Sequence, residues 1–144
     1  MEIFTIGFTK KSAEKFFLIL GGSKIECVVD VRLRPDSQLS GFTKKDDLAF
    51  FLGRLLDCDY RHMPELAPTS EILDTYRKDK NWAMYAQSFN HLMDQRGIPG
   101  TLDGTIFEEK RCCLLCSETE PDHCHRRLVA ERLAKEWNAT IKHL

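Results

Sequence analysis

Residues 112–127 read CCLLCSETEPDHCHRR and hold four of the chain's six cysteines, two of its five histidines and two arginines. Those side chains can ligate a metal, carry a thiolate, move a proton or hold an anion. Zinc would need Cys113 and Cys116 as a C-x2-C pair, completed by His123, Cys124 or His125. If 112–116 is a strand, Cys113 and Cys116 point to opposite faces, because side chains alternate along it. No second C-x2-C and no H-x3-5-H follows. The expectation is therefore no metal ligands and no cofactor, which leaves thiol, acid–base and anion chemistry.

The elements that must position these residues show in the hydrophobic pattern. EIFTI (2–6) and IECVVDV (25–31) are short β-branched runs bounded by turn residues. Between them SAEKFFLIL has an N-cap in Ser12 and stops at Gly21-Gly22, which makes a helix. KKDDLAFFLGRLL repeats apolar residues at helical spacing, DYRHM is a short third strand, and NWAMYAQSFNHLMDQ is an amphipathic helix closed by GIPG. EEKRCCLLC ends in a fourth strand, HRRLVAERLAKEW is a helix and ATIKHL a last strand. Residues 64–80 are the least regular stretch and are read as a candidate mobile flap. Alternating strand and helix predicts one α/β domain over 1–144, three layers α/β/α, around a mostly parallel sheet of about five strands.

Open parallel sheets collect ligands outside the carboxyl ends of their strands. Gly7 and Thr9 follow the first strand; Asp30, Arg32 and Ser37 follow the second; Tyr60 and His62 sit on the third; Cys116 and Glu118 end the fourth. In the last long helix, expected from about Asp122, the stripe Ala130, Leu133, Ala134 and Trp137 faces the core, and Arg126 lies one turn before it. Its guanidinium is expected in the crevice beside a helix N-terminus, a place that favours anions. An ion pair between Arg126 and Glu118 is the structural alternative. Cys116 leaves its strand towards the same place, where positive charge raises its thiolate fraction. Cys124 reads most simply as a packed small residue.

Composition limits the rest. The 21 basic and 22 acidic residues nearly cancel, so no global field draws the chain onto nucleic acid or a membrane. The longest aliphatic or aromatic stretch, Phe16 to Leu20, is far too short to span a bilayer. A cytoplasmic protein with reduced cysteines is expected. No oligomeric state follows from the sequence.

Two resemblances follow. VVDVR with a later strand, cysteine, loop and helix looks like the plan of rhodanese sulfurtransferases, but Cys116 stands ten residues before Arg126, and that family closes a tighter cradle. The whole set FTIGFT, VVDVRLRPDS, YRHMPEL, YAQSF, LLCSETEPDHCHRRLVAERL and IKHL resembles the uncharacterised family catalogued as domain of unknown function 488. The resemblance implies a compact α/β domain without a firmly assigned reaction. Its hallmark positions fall on Gly7, Asp30, Arg32, Pro35, Ser37, Tyr60, His62, Cys116, Glu118, Cys124, His125 and Arg126. Phe8 and Thr9 stand where that family usually has histidine and serine, and Ala67 and Pro68 where it usually has a glycine pair.

The resulting expectation is an enzyme acting on a phosphate-bearing substrate, an anionic small molecule such as a nucleotide or a nucleic-acid end. Arg32 and Arg126 would bind the anion, with Asp30, Gly7, Thr9, Ser37 and Tyr60 around it. Glu118 would be acid or base, assisted by Cys116, His62 or His125. The alternatives are a non-catalytic binding module and sulfurtransferase chemistry through Cys116.

Overall fold

The short runs that alternate with the helices have too few residues for stable helices and pair as strands, buried at the centre of the sheet and part-exposed at its edges. In the computed structural model, which describes residues 1–36 and 41–144, they become β1 (Glu2–Gly7), β2 (Cys27–Asp30), β3 (Asp59–His62), β4 (Cys112–Cys116) and β5 (Thr140–His143). All four pairings are parallel and the order is β3-β2-β4-β1-β5. The expected mostly parallel sheet is wholly parallel. Every residue of β4 is buried, as a central strand covered on both faces requires.

Helices α1 (Ala13–Gly22), α2 (Lys45–Leu56), α3 (Ser70–Asp79), α4 (Trp82–Arg96), α5 (Thr105–Glu109) and α6 (His125–Trp137) supply the outer layers. The Ser12 hydroxyl caps α1 by accepting from the Lys15 amide at 3.1 Å. Strand parity divides the core in two. Phe4, Ile6, Val28, Cys113 and Leu115 pack with Phe16, Leu20, Leu48 and Leu52 from α1 and α2. Ile3, Val29, Leu114 and Cys116 pack with Phe89, Met93, Val129 and Leu133 from α4 and α6. Cys113 and Cys116 therefore face opposite layers, as the strand reading required.

Three details depart from the sequence reading. Residues 70–79, inside the stretch read as a flap, are helical: Thr69 caps α3 by accepting from the Ile72 amide at 3.2 Å. Glu108 and Glu109, at the start of the run read towards the fourth strand, instead end a short helix over Thr105–Glu109. Helix α6 begins at His125 rather than near Asp122, because Cys124 is its extended N-cap and residues 121–123 turn before it. Among the described residues no helix is long and apolar enough to cross a membrane.

Candidate functional site

Strand β4 lies between β1 and β2, which both lead to helices on the α1/α2 face, whereas β4 leads to α6 on the other. The chain therefore leaves neighbouring strands in opposite directions beside Cys116, the arrangement that opens a crevice at a carboxyl edge.

On the α1/α2 side the crevice is built on a buried ion pair. Asp30 is fully buried and Arg32 is 3% exposed. Arg32 donates from Nε to Asp30 Oδ1 at 2.9 Å and from Nη2 to Oδ2 at 2.6 Å, a bidentate fork. Nη2 also donates to the Thr43 carbonyl at 2.7 Å. The Tyr60 hydroxyl donates to Asp30 Oδ2 at 2.5 Å. Burial alone would depress the Arg32 guanidinium, yet hydrogen bonds and charge from Asp30 hold it above its ordinary value. Burial, reinforced by Asp30, pushes the Tyr60 phenol up. Phe8, at the position where a histidine was expected from the resemblance, stacks over the Arg32 guanidinium at 5.3 Å. Arg32 Nη1 is the exception: it is buried and has no hydrogen-bond partner among the described residues. Asp30→Ala strands this cation and is expected to cost about 3–5 kcal/mol, measurable by urea denaturation.

The loop after β4 is clamped from below. Arg126 is completely buried. Its Nη1 donates to the Glu118 carbonyl, Nη2 to the Thr119 carbonyl at 3.1 Å, and Nε to the Thr5 hydroxyl at 3.3 Å. Arg126 points inward as expected, but backbone carbonyls occupy its donors and it does not line the crevice. No Arg126–Glu118 carboxylate pair occurs among the described residues. Thr9 closes the same loop, donating from its amide and its hydroxyl to the Ser117 carbonyl at 3.0 and 2.6 Å. Gly7 is there for clearance: a Cβ on it would sit 1.6 Å from the Glu118 carbonyl oxygen. His62 Nε2 lies 2.8 Å from the Arg32 carbonyl, and neither His62 nor Tyr60 lines the crevice. Ser37 lies outside the described residues.

The chemistry converges on the α4/α6 side. Cys116 Sγ is 3.6 Å from His125 Nδ1, and His125 Nε2 is 2.7 Å from the Val31 carbonyl oxygen. A carbonyl only accepts, so Nε2 carries a proton. The Cys116 Sγ is also 3.9 Å from Nε2, so the sulfur packs beside the ring between its two nitrogens, and a thiol, an imidazole and a carbonyl that orients the imidazole are gathered in one place. Cys124 completes the cluster. The Cys116 and Cys124 sulfurs and a His125 nitrogen all lie within 4.8 Å of one another, and all three residues are buried. A hydrogen bond from Cys124, with help from a Ser117 backbone hydrogen bond and the Arg126 charge, lowers the Cys116 pKa despite burial. Burial and the neighbouring Cys116 sulfur push Cys124 well up. The donor set is one that zinc accepts. It pairs Cys116 with Cys124 rather than with Cys113.

A cavity of about 580 Å³ opens above this cluster. Cys116, Cys124, His125 and Arg32 form its inner end, and its walls carry Arg34, Arg77, Lys80 and Glu118. Four cationic side chains thus face one carboxylate. Helix α3 supplies Leu73, Tyr76 and Arg77, and its C-cap supplies Lys80. The sequence reading did not include these residues, although TYRKDK at 75–80 places a tyrosine and three basic residues within one and a half turns. His123 was weighed only as a zinc ligand. It stacks on Trp82 at 5.2 Å, and Trp82 stacks on Tyr85 at 5.3 Å, so Trp82 backs two of the rings that line the cavity, His123 and Tyr85.

Residues 12–133 match the family described as Domain of unknown function DUF488. The chain belongs to that family. No curated protein and no solved structure matches it. Among the hallmark positions of this DUF488 chain, Arg32, Cys116, Glu118, Cys124 and His125 line the cavity, whereas Gly7 and Arg126 shape the loop that carries Glu118.

Proposed function

We propose that this DUF488 protein is an enzyme that binds a small phosphate-bearing anion in the cavity and attacks it with the Cys116 sulfur. The observation that carries the reading is the shared cavity, whose lining brings Arg32 together with the Cys116–His125 pair. Guanidinium and ammonium groups of Arg32, Arg34, Arg77 and Lys80 in that lining give an anionic oxygen charge-assisted donors. About 580 Å³ suits a nucleotide-sized molecule rather than a long polymer, which favours a free nucleotide or the end of a nucleic acid.

In the reacting step the Cys116 S–H proton passes to His125 Nδ1. The sulfur bonds to the electrophilic atom of the substrate, and the imidazolium returns its proton to the departing group. Water then attacks the adduct while Glu118, on the wall above, takes the water proton; the bond to sulfur breaks, and that proton passes to the released Cys116 thiolate, which restores the enzyme.

A thermal-shift series with phosphate, sulfate and nucleotides tests the binding. Stabilisation of the wild type that is lost in the double variant Arg77→Ala, Lys80→Ala supports the anion cavity. No shift from any of these anions would sink the reading. Glu118→Gln then separates chemistry from binding. We expect it to keep the anion-induced shift while turnover of that anion falls by about 10²–10⁴-fold, the usual contribution of a positioned acid or base. A weakened shift with turnover retained would make Glu118 a binding residue, and the non-catalytic alternative would gain if no anion is turned over by the wild type.

A further inference from the structure

We propose that Cys116 and Cys124 are a redox-active pair, with Cys124 as the resolving thiol that converts oxidised Cys116 into a reversible intramolecular disulfide. This rests on the reading of Cys116 as a reactive thiol and is independent of which anion the cavity holds.

Geometry supplies the pairing. Cys116 is the last residue of β4 and Cys124 the N-cap of α6, so both backbones are held by regular structure while the loop between them folds back. Arg126 and Thr9 hold that loop by its carbonyls. The two sulfurs lie within 4.8 Å of each other and both line the cavity.

The chain contains its own control. Cys27 and Cys112 are register partners on adjacent strands, and each thiol donates to a backbone carbonyl, Cys27 to Val28 at 3.8 Å and Cys112 to Ile106 at 3.3 Å. Both are completely buried, and neither lines this cavity. Proximity alone is common to both pairs; access for a small oxidant belongs to Cys116 and Cys124.

With hydrogen peroxide as oxidant the steps balance. The Cys116 thiolate attacks one peroxide oxygen, the O–O bond breaks, and sulfenic acid forms with release of hydroxide; sulfur loses two electrons and peroxide gains them. The Cys124 sulfur then attacks the sulfenic sulfur. The S–O bond breaks, the S–S bond forms, and the Cys124 proton leaves with the hydroxyl group as water. A dithiol reductant returns two electrons and two protons, restoring both thiols.

The test uses the full chain, reduced and then exposed to one equivalent of hydrogen peroxide, acid-quenched and mapped by non-reducing peptide mass spectrometry. The expected product is a Cys116–Cys124 bond with Cys27 and Cys112 still reduced. In Cys124→Ala, dimedone should trap sulfenic acid at Cys116, and excess peroxide should carry it to sulfinic acid. In Cys116→Ser, Cys124 should stay reduced. Sulfinic acid at Cys116 in the wild type without any Cys116–Cys124 bond would overturn the inference, as would a purified chain whose two thiols are occupied by one zinc ion. Rapid alkylation of Cys116 by iodoacetamide without disulfide formation defeats this inference and leaves the reactive-thiol reading standing. Inertness to both reagents defeats both.

Discussion

Iodoacetate will label Cys116 before any other of the six cysteines. All six are free and buried, so surface exposure does not rank them; thiolate character and access do. Burial pushes Cys58 up to about 12, and burial also raises Cys113. The adjacent Cys27 thiol and burial raise Cys112, and Cys112 in turn lowers Cys27, which lines no part of the cavity. Cys116 alone combines a lowered pKa with a place in the cavity wall. The basic lining concentrates an anionic reagent, so the iodoacetate-to-iodoacetamide rate ratio, normalised to glutathione, should rise on the order of tenfold and shrink with added salt. The sign of the pH dependence is fixed. A lowered thiol pKa means that the thiolate forms at lower pH, so the midpoint of the alkylation profile should lie below the ordinary cysteine value of about 8.5. Cys124→Ala removes the largest stabilising contact of that thiolate and should move the profile upward. First labelling at Cys58, or a neutral reagent preferred as glutathione prefers it, would remove the electrostatic argument for an anion site.

Much of this arrangement was legible in the sequence. Strand parity placed Cys113 and Cys116 on opposite faces, and the stripe from Ala130 to Trp137 gave Arg126 its inward direction. The carboxyl-edge rule gathered Arg32, Cys116 and Glu118 before any coordinates. What Arg126 touches was not legible, because its partners are the backbone carbonyls of Glu118 and Thr119. Side-chain types carry no record of which way a loop carbonyl turns. The approach of Cys124 to Cys116 outside a zinc set was not legible for a related reason: parity relates residues within one strand, whereas Cys124 returns to Cys116 through a loop. The period of helix α3 stands in the sequence, with Ile72, Leu73 and Tyr76 at helical spacing behind the Thr69 cap, but its few apolar residues bury none fully and its many charges read as an irregular surface stretch. Its polar content is what gives the cavity wall Arg77 and Lys80.

Replacing Gly7 by alanine should be the most damaging small change in the protein. The missing methyl is space that the backbone occupies. A Cβ there would stand 1.6 Å from the Glu118 carbonyl oxygen and 2.9 Å from Arg126 Nη1. Neither neighbour has freedom to yield: the carbonyl accepts from Arg126, and Arg126 is completely buried with its other nitrogens bound to Thr5 and Thr119. Relief requires moving the 117–119 loop, which breaks the two Thr9 bonds to the Ser117 carbonyl as well. Overpacking commonly costs about 1–3 kcal/mol, and a clash with fixed backbone belongs at or above the upper end. The expected result is a urea midpoint lowered by at least about 3 kcal/mol of stability with an unchanged slope. Because the loop starts at Cys116, the rate of Cys116 alkylation should change in the same variant. Gly22→Ala supplies the comparison, since a Cβ at that helical position meets nothing within 4 Å. It should stabilise by up to about 1 kcal/mol through the unfolded chain and leave alkylation untouched. If Gly7→Ala instead behaves like Gly22→Ala, the close apposition of β1 and the β4 loop is wrong, and with it the account of how Glu118 and Cys116 are held at the cavity.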